Sequence, residues 1–409
     1  MAQIKQETIK AYALKNAVEH EGKAQAGSVL SPLFAEGLEK DGIKEIMPKI
    51  NLAVKEVNSM KLEEQKIELE RLEKLLSHRD VRDPSELPEL PSVDKKTGVI
   101  MRFRPAPSGP MHIGHIISNM INSLYVKKYG GKFYVIIDDT NPEETLAEAY
   151  KNLREDCNWI FGNIYQYLNA SDRIEIYYKY ALTLINKNFA YVCTCSQEKF
   201  KKYSESQKNC PCRDIRIEEN MKRWKKMLDK NGFKEGEAVL RFKTEEGMKH
   251  SNPAMRDFPL ARINLKKHPK QGNKYRVWPL MNLSVSVDDI ELKVTHVIRG
   301  KDHRDNSERQ KMIYTALRKE KDFPWTFFMG RIKFTDLILS KRKITAAIKE
   351  GKYEGAEDAR LPTVASLRKR GYKQEAFAKF ATQRGLTEVD KVLSQKDVFD
   401  VLDRLNKES

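Results

Sequence analysis

The segment between residues 98 and 139 constrains the fold more strongly than any other part of the chain. It opens with a short apolar run, Gly98 to Phe103, and passes through a loop rich in proline and glycine into a helical pattern. After a pair of glycines, a second apolar run, Lys132 to Ile137, ends in two aspartates. Two buried strands joined by one helix predict parallel pairing and an α/β fold.

The loop in this segment has the properties of a phosphate-binding site. It leads into the N-terminus of a helix, where unpaired N–H groups and the positive end of the helix dipole attract anions. His112 and His115 lie on the first turn, and Gly114 between them lets a base or a ribose approach the backbone closely. The alternative is a capped helix that carries two incidental histidines.

Two motifs in order give the chain a family resemblance. The segment from Arg102 to His115 resembles the HIGH signature of class I aminoacyl-tRNA synthetases, in the form of the glutamyl and glutaminyl enzymes. About 200 residues downstream, Leu337 to Lys343 resembles the KMSKS loop of the same class, in a Leu-Ser-Lys-Arg variant; it is called the lysine loop below. The resemblance implies a Rossmann-like parallel sheet that is split by an insertion.

The resemblance also implies a reaction. A carboxylate attacks the α-phosphate of ATP and expels pyrophosphate, so the site must surround the phosphates with positive and hydrogen-bonding groups. Mg²⁺ is expected to accompany ATP. The implied catalytic residues are His112, His115 and Lys341, and the implied ATP-binding residues are His112, Gly114, His115, Ser340, Lys341 and Arg342.

A pocket for L-glutamate follows from the same resemblance. It implies that Arg102 binds the substrate, that Asp138 holds the α-ammonium group and that Arg299 grips the side-chain carboxylate, with Asn282 as a fourth residue of the pocket. The chain departs from the family at Ile136, where an arginine is usual. The sequence leaves open whether Arg104, itself unusual, compensates.

Four of the five cysteines form two tight pairs, Cys193 with Cys195 and Cys210 with Cys212. Four thiolates can surround Zn²⁺ tetrahedrally, and the family carries a comparable zinc site within its insertion. We expect a structural zinc here, with free buried thiols as the alternative. Cys157 is expected to be a plain core thiol.

The charge balance indicates nucleic acid as a partner. The chain has 75 Lys and Arg against 58 Asp and Glu, a net charge of +17. Residues 331–372 hold eleven basic and five acidic residues, a local charge of +6, and by resemblance they would contact the acceptor stem of tRNA(Glu). No apolar run suits a membrane helix, and no signal sequence directs the chain out of the cytoplasm.

These patterns divide the chain into five regions. Residues 275–287 and 294–298 are expected to be sheet segments within the fourth region. The regions are a helical appended domain (1–93), the first half of the catalytic domain with the HIGH motif (94–150), an insertion that binds the acceptor end and holds the cysteines (151–255), the second half of the catalytic domain (256–330), and the lysine loop with a helical stem-contact domain (331–409).

Several alternatives stay open at this point. The chain could be a glutaminyl-tRNA synthetase, a truncated glutamyl-transferring paralogue or a non-catalytic tRNA-binding subunit. Relatives of the archaeal branch continue into anticodon-binding β-barrels, so the sequence is expected to be either cut or completed by a separate polypeptide. Charging of tRNA(Gln) in addition to tRNA(Glu) is also left open.

Overall fold

The computed structural model describes residues 4–34, 36–76, 83–337 and 339–409. Ile338 of the lysine loop therefore lies outside the described residues. The chain forms two compact units, Met1–Arg82 and Asp83–Ser409. The proline-rich stretch that follows residue 83 belongs to the second unit, because Leu90 packs in its core and Leu90 N–H donates to Tyr129 Oη at 2.9 Å.

The first unit is helical throughout its regular structure. Ile50 and Val57, which lie seven residues apart on one face of a helix, are fully buried in its core together with Leu14. Its helices are α1 (Gln6–Glu19), α2 (Ala26–Leu33), α3 (Ile43–Asn58) and α4 (Leu62–Leu72).

The second unit alternates strands and helices. Its strands are β1 (Val99–Phe103), β2 (Gly131–Ile137), β3 (Gln166–Asn169), β4 (Ala190–Cys193), β5 (Val239–Phe242), β6 (Pro259–Ile263), β7 (Val277–Pro279), β8 (His296–Gly300), β9 (Trp325–Met329), β10 (Ile332–Phe334) and β11 (Lys391–Leu393). Its helices are α5 (Ile113–Tyr129), α6 (Ala149–Phe161), α7 (Ile174–Asn186), α8 (Gln197–Glu205), α9 (Ile217–Leu228), α10 (Met281–Glu291), α11 (Arg304–Ala316), α12 (Lys341–Lys349), α13 (Val364–Lys369), α14 (Gln374–Arg384) and α15 (Gln395–Lys407).

Parallel strands form the centre of this unit and confirm the predicted α/β class. Strands β1, β2 and β3 pair in parallel, as do β8 and β9. The two parts meet where Thr295 N–H, just before β8, donates to the carbonyl of Ile100 in β1 at 2.9 Å. The strand–helix–strand segment read from residues 98–139 is therefore the first β–α–β step of a sheet that the chain completes only after residue 294.

The two faces of β1 have different neighbours. Val99, Met101 and Phe103 belong to the large core of the unit, and helix α5 packs against the strand. Successive strand residues point to opposite faces, so Arg102 points away from this core. The second face of the sheet is therefore the one that carries charged side chains.

A four-stranded antiparallel sheet, β4-β5-β6-β7, occupies the chain between the two parallel parts. It runs to Pro279, beyond residue 255, where the sequence analysis ended the insertion. Among the described residues, no helix is both long and apolar enough to cross a membrane.

The predicted sheet segment over residues 275–287 is wrong for most of its length. Only Val277–Pro279 is a strand, and Met281–Glu291 is helix α10. Every residue from position 282 to position 289 is buried. A helix that is buried on all sides shows no amphipathic period, and its two β-branched valines favour a strand reading.

The start of β2 offers a test of the close backbone contact between β2 and β1. Gly131 has φ +113°, and a Cβ atom there would lie 2.0 Å from the carbonyl oxygen of Val99. Gly131→Ala should therefore lower the melting temperature clearly, measured by differential scanning fluorimetry. Gly130→Ala is the matched control, because Gly130 also has positive φ (+74°) but no atom within 4 Å of the added Cβ. The control costs on the order of 1 kcal/mol from backbone strain alone, and equal losses in the two variants would contradict the prediction.

Candidate active site

A cavity of about 630 Å³ opens at the carboxyl ends of β1, β2 and β8. Ligands bind at this edge in open parallel sheets because the loops after the strands converge there. Its wall includes predicted residues from all three strand ends and from the start of α5, namely Arg102, His112, Gly114, His115, Asp138 and Arg299. Leu337 and Leu339 of the lysine loop also line it.

His112 and His115 form one compact pair at the N-terminus of α5. His112 is the N-cap residue, and its backbone N–H donates to His115 Nδ1 at 3.2 Å. The ring centroids lie 3.9 Å apart. Because Nδ1 of His115 accepts, the neutral ring carries its proton on Nε2. Among the described residues, His112 Nδ1 has no hydrogen-bond partner.

Both imidazoles are neutral at pH 7. Burial and the nearby Lys341 lower the pKa of His112 to about 4. Burial, His112 and Lys341 also lower the pKa of His115 well below its usual value. The pair can therefore donate hydrogen bonds to phosphate oxygens while both rings remain uncharged.

Gly114 allows the ring of His112 and Leu339 of the lysine loop to lie close to the first turn of α5. A Cβ atom at this position would lie 3.1 Å from the ring of His112 and 3.1 Å from Leu339 Cδ1. Any larger residue would push the lysine loop and the histidine pair apart. The glycine was singled out for the approach of a ligand, and the structure shows that it also serves the approach of side chains.

The segment that includes the lysine loop contacts the loop between β1 and α5. Ser340 caps α12, since its Oγ accepts from Lys343 N–H at 3.4 Å. Lys341 Nζ donates to the carbonyl of Ala106 at 2.8 Å, and burial lowers its pKa to about 8. Arg342 pairs with Glu144. Ser340, Lys341 and Arg342 are not among the residues that line the cavity, although the loop that carries them is.

Arg102 and Arg299 differ in what they bind. Arg102 makes two bonds to Asp289, from Nε to Oδ1 at 2.5 Å and from Nη2 to Oδ2 at 2.8 Å. Arg299 Nη1 donates to the neutral groups Ser307 Oγ at 3.3 Å and Gln310 Oε1 at 2.9 Å. No carboxylate of the described chain forms an ion pair with Arg299.

Arg299 is therefore a partly buried cation whose hydrogen bonds go to neutral groups. Burial and the neighbouring Arg102 lower its pKa to about 9, which still leaves it charged at pH 7. A desolvated guanidinium is stabilised by a carboxylate that binds side-on. Asn282 is buried and is connected to Arg299 through Gln310, because Asn282 Oδ1 accepts from Gln310 Nε2 at 3.4 Å.

Ile136 and Arg104 are explained together by the sheet. Ile136 is fully buried in a small apolar cluster with Tyr134 and Ala170. Arg104, one position beyond the end of β1, reaches Asp138 with its guanidinium, at 3.2 Å from Nε to Oδ2. A guanidinium therefore lies beside Asp138 in spite of the isoleucine, although it comes from the neighbouring strand.

The sequence analysis assigned no role to Asp288 and Asp289 of α10, yet both bind arginines at the cavity. Asp289 receives Arg102, and Asp288 receives Arg104 Nη1 at 2.5 Å and Arg173 Nε at 2.6 Å. Two adjacent acids within an apolar run were the available signal. Charged residues of this kind are almost never fully buried unless they are paired.

The four predicted cysteines come together in the insertion. Their sulfur atoms all lie within 4.8 Å of one another, and two of the contacts, Cys193 to Cys210 and Cys195 to Cys212, measure 3.8 Å. These distances exclude disulfides in the structure, since an S–S bond is about 2.05 Å long. Cys157 lies apart from them in the main core, with its sulfur 3.7 Å from that of Met111, as predicted for a core thiol.

The fold and the two motifs define a class I aminoacyl-tRNA synthetase, and comparison with known proteins gives the family. Residues 98–406 match the family described as tRNA synthetases class I (E and Q), catalytic domain. The chain belongs to this family.

Individual relatives agree with this result. The chain is 41% identical over 397 residues to a glutamate–tRNA ligase of Methanocaldococcus jannaschii, covering 97% of this chain and 70% of the relative. A glutamate–tRNA ligase of Pyrococcus abyssi is 43% identical, with 94% and 67% covered. In fold, the chain resembles a solved glutamate tRNA ligase of Elizabethkingia meningosepticum in complex with its amino acid, with a TM-score of 0.53 at 19% identity over 77% of this chain and 69% of that chain.

The histidine pair gives a prediction that needs no ligand. His112 should titrate with a midpoint near pH 4, followed by NMR of the ring carbons, with His112→Gln to assign its signal. The ordinary midpoint is about 6.5, and the unfolded chain should show it. Since the unfolded state binds the proton first, the fold should lose stability as pH falls from about 6.5 towards 4. A folded-state midpoint near 6.5 would show that the ring is not desolvated as described.

Proposed function

We propose that the chain ligates L-glutamate to tRNA(Glu) in an ATP-dependent reaction that passes through a glutamyl-adenylate. The observation that carries the proposal is the partly buried Arg299, whose hydrogen bonds go to neutral groups, in a cavity that also presents the histidine pair at a helix N-terminus. One end of the cavity suits a carboxylate and the other suits phosphates. The relatives named above, all glutamate–tRNA ligases, support the same substrate.

The first step joins two anions. The α-carboxylate of glutamate attacks the α-phosphorus of ATP, a new O–P bond forms, and the bond to the bridging oxygen of pyrophosphate breaks. His112, His115 and the N-terminus of α5 supply donors on the phosphate side, and Gly114 leaves room for the nucleoside. Mg²⁺ that arrives with ATP would neutralise charge on the β- and γ-phosphates.

The lysine loop supplies the mobile cation. Lys341 is bound to the carbonyl of Ala106, which is part of the loop that leads into α5. Leaving this neutral acceptor for pyrophosphate replaces a hydrogen bond to an uncharged oxygen with one to an anionic oxygen, which is stronger because both partners are charged. Ser340 and Arg342 are proposed to contact ATP in the same movement, in which Arg342 would leave Glu144.

The second step transfers the glutamyl group to tRNA. A hydroxyl of the terminal ribose attacks the carbonyl carbon of the adenylate, AMP leaves, and the hydroxyl proton passes to solvent or to the phosphate. The basic segment 331–372 is proposed to hold the acceptor stem through its phosphates.

Within the amino-acid pocket, each residue has a proposed partner on the substrate. Arg299 binds the side-chain carboxylate, Asp138 binds the α-ammonium group, and Arg102 borders the pocket with its remaining nitrogen. Asn282 acts through Gln310, which also holds Arg299. A charged guanidinium held by neutral groups favours a carboxylate over the amide of glutamine.

We also propose that the four cysteines bind one structural Zn²⁺. A tetrahedral site with Zn–S bonds of about 2.3 Å has sulfur–sulfur edges of about 3.8 Å, and two of the measured edges are 3.8 Å. Arg223 Nη1 lies 3.5 Å from Cys212 Sγ, where it can offset the negative charge of four thiolates. All four positions are filled by protein, so the ion would have a structural role.

Aminoacylation of tRNA transcripts tests the proposed reaction. The chain, alone and with any protein that co-purifies, should attach labelled glutamate to tRNA(Glu) in the presence of ATP and Mg²⁺. Lys341→Ala should lower kcat by at least about 100-fold, because the lysine acts on charge that develops in the transition state.

The same assay separates the alternatives. Charging of tRNA(Gln) with glutamate would widen the specificity, whereas charging with glutamine in place of glutamate would overturn the substrate assignment. Transfer to tRNA that proceeds at the normal rate in Lys341→Ala would overturn the role of the lysine loop. Circular dichroism of the variant shows whether its fold is intact.

Metal analysis tests the zinc proposal. The purified chain should contain about one zinc per molecule, and Cys210→Ser should lose it and lower the melting temperature. Cys157→Ala is the control, since this thiol lies outside the cluster and its variant should retain the metal. A stable, fully folded chain without metal would show that the cluster is four free thiols.

A further inference from the structure

Arg104 lies at the centre of a buried charge network beside the cavity. Only 5% of its side chain is exposed, and it also lines the cavity. Its Nη1 donates to Asp288 at 2.5 Å, its Nη2 donates to Ser284 Oγ at 2.9 Å, and its Nε lies 3.2 Å from Asp138. Nη2 also donates to Asp138 Oδ1 at 3.3 Å, whereas Nε is buried and has no hydrogen-bond partner among the described residues. Both terminal nitrogens therefore donate to protein acceptors, and the third nitrogen is shielded from the cavity.

The two acids that bind Arg104 differ sharply. Asp288 is fully buried, and it also receives Arg173 Nε at 2.6 Å and Tyr177 Oη at 2.8 Å. Asp138 keeps 20% of its side chain exposed and faces the cavity. Among the described residues, its other side-chain hydrogen bond comes from Thr140 Oγ1 at 3.3 Å, whereas Arg104 reaches both of its oxygens. The orientation of Asp138 thus depends on Arg104, whereas Asp288 is also held by Arg173 and Tyr177.

We propose that Arg104 is a positioning residue of the amino-acid pocket. Held by Asp288 and Ser284 on one side, it fixes the carboxylate of Asp138 on the other, so that the exposed edge of this carboxylate points to the position of the substrate ammonium group. The inference rests on the proposed function, because it assigns the ammonium group of glutamate to Asp138.

The sheet makes Arg104 a rigid support. Phe103 of β1 pairs with Val135 of β2, so the next step along the two strands places Arg104 alongside Ile136. Asp138 lies two residues further and therefore on the same face. Ser284 and Asp288 lie one turn apart on α10 and contact the guanidinium from the same helix. An arginine held between a strand end and a buried helix has little freedom to turn.

A purely structural ion pair is the competing explanation. In that case, Arg104 would only anchor α10 through Asp288, and the loss of Arg173 from the same carboxylate should have similar effects. The two arginines differ in that Arg173 has no contact with Asp138 among the described residues. Arg173→Gln is thus a matched control for Arg104→Gln.

The experiment compares Arg104→Gln, Arg104→Lys and Arg173→Gln with the wild type. We expect Arg104→Gln to raise KM for glutamate by about 10-fold or more while KM for ATP changes less than about 3-fold. Ten-fold corresponds to about 1.4 kcal/mol, close to the lower end of the range for a hydrogen bond to a charged group, which begins at about 1.5 kcal/mol. Arg104→Lys keeps the positive charge but lacks the branched guanidinium. Its KM for glutamate should therefore lie between those of the wild type and Arg104→Gln. Arg173→Gln should lower the melting temperature while KM for glutamate stays within about 3-fold.

A double-mutant cycle with Asp138→Asn shows whether Arg104 acts through that carboxylate. The combined variant should be little worse than Asp138→Asn alone, since residues that act as a unit are not additive. Additive losses, or equal effects of Arg104→Gln and Arg173→Gln on KM for glutamate, would overturn the inference.

Stabilisation by L-glutamate, measured as a shift in melting temperature, keeps this test separate from the proposed reaction. The wild type should be stabilised and Arg104→Gln should not, at equal concentrations of glutamate. If the wild type binds glutamate in this way but charges no tRNA, the proposed function fails and the positioning role survives. If glutamate stabilises Arg104→Gln as well as the wild type, the positioning role fails, whatever the charging assay gives.

Discussion

Two buried arginine–aspartate pairs hold the active site together. Arg102 binds Asp289 and Arg104 binds Asp288, in each case across more than 180 residues of sequence. Burying these charges is costly, and removing one partner of such a pair typically costs about 3–5 kcal/mol. Helix α10 can therefore take only the place in which both of its aspartates meet the end of β1. The pairs join the end of β1 to the helix that precedes β8, which the antiparallel insertion separates from β1 in sequence.

Charge is distributed unevenly around the cavity as a result. Arg102 and Arg104 are neutralised by protein carboxylates, and the two histidines are kept uncharged by burial. Arg299 is left as a guanidinium with only neutral partners. Because the hydrogen bonds of Arg299 go to neutral groups, the site discriminates by charge, since a ligand without a carboxylate leaves this guanidinium without an ionic partner.

Much of this site could be predicted from the sequence, because its parts are local. The loop before α5 and the lysine loop are short motifs that were recognised together by their resemblance to a family, and the four cysteines stand in two close pairs in the sequence. Helix α10 could not be predicted, since complete burial removes the amphipathic period on which a helix assignment depends. The partners of Arg104 were equally hidden, because they are set by the register of β1 against β2 and by residues of a helix 180 and 184 positions away. Sequence patterns report periodicity along the chain, whereas these contacts are made between segments that are distant along it.

The pairing of β10 with β11 has a consequence for the lysine loop. These two short strands are parallel, and the loop, α12, α13 and α14 all lie in the chain between them. Further bonds reinforce the closure, with Thr335 N–H donating to the carbonyl of Leu393 at 3.1 Å and Gln395 N–H to Asp336 Oδ1 at 2.7 Å. The lysine loop thus belongs to a chain segment whose two ends are already joined by the pairing of β10 with β11. The entropy of closing this segment is therefore lost on folding. Because this entropy is already lost, binding of a nucleotide beside Lys341 does not include the cost of closing the segment.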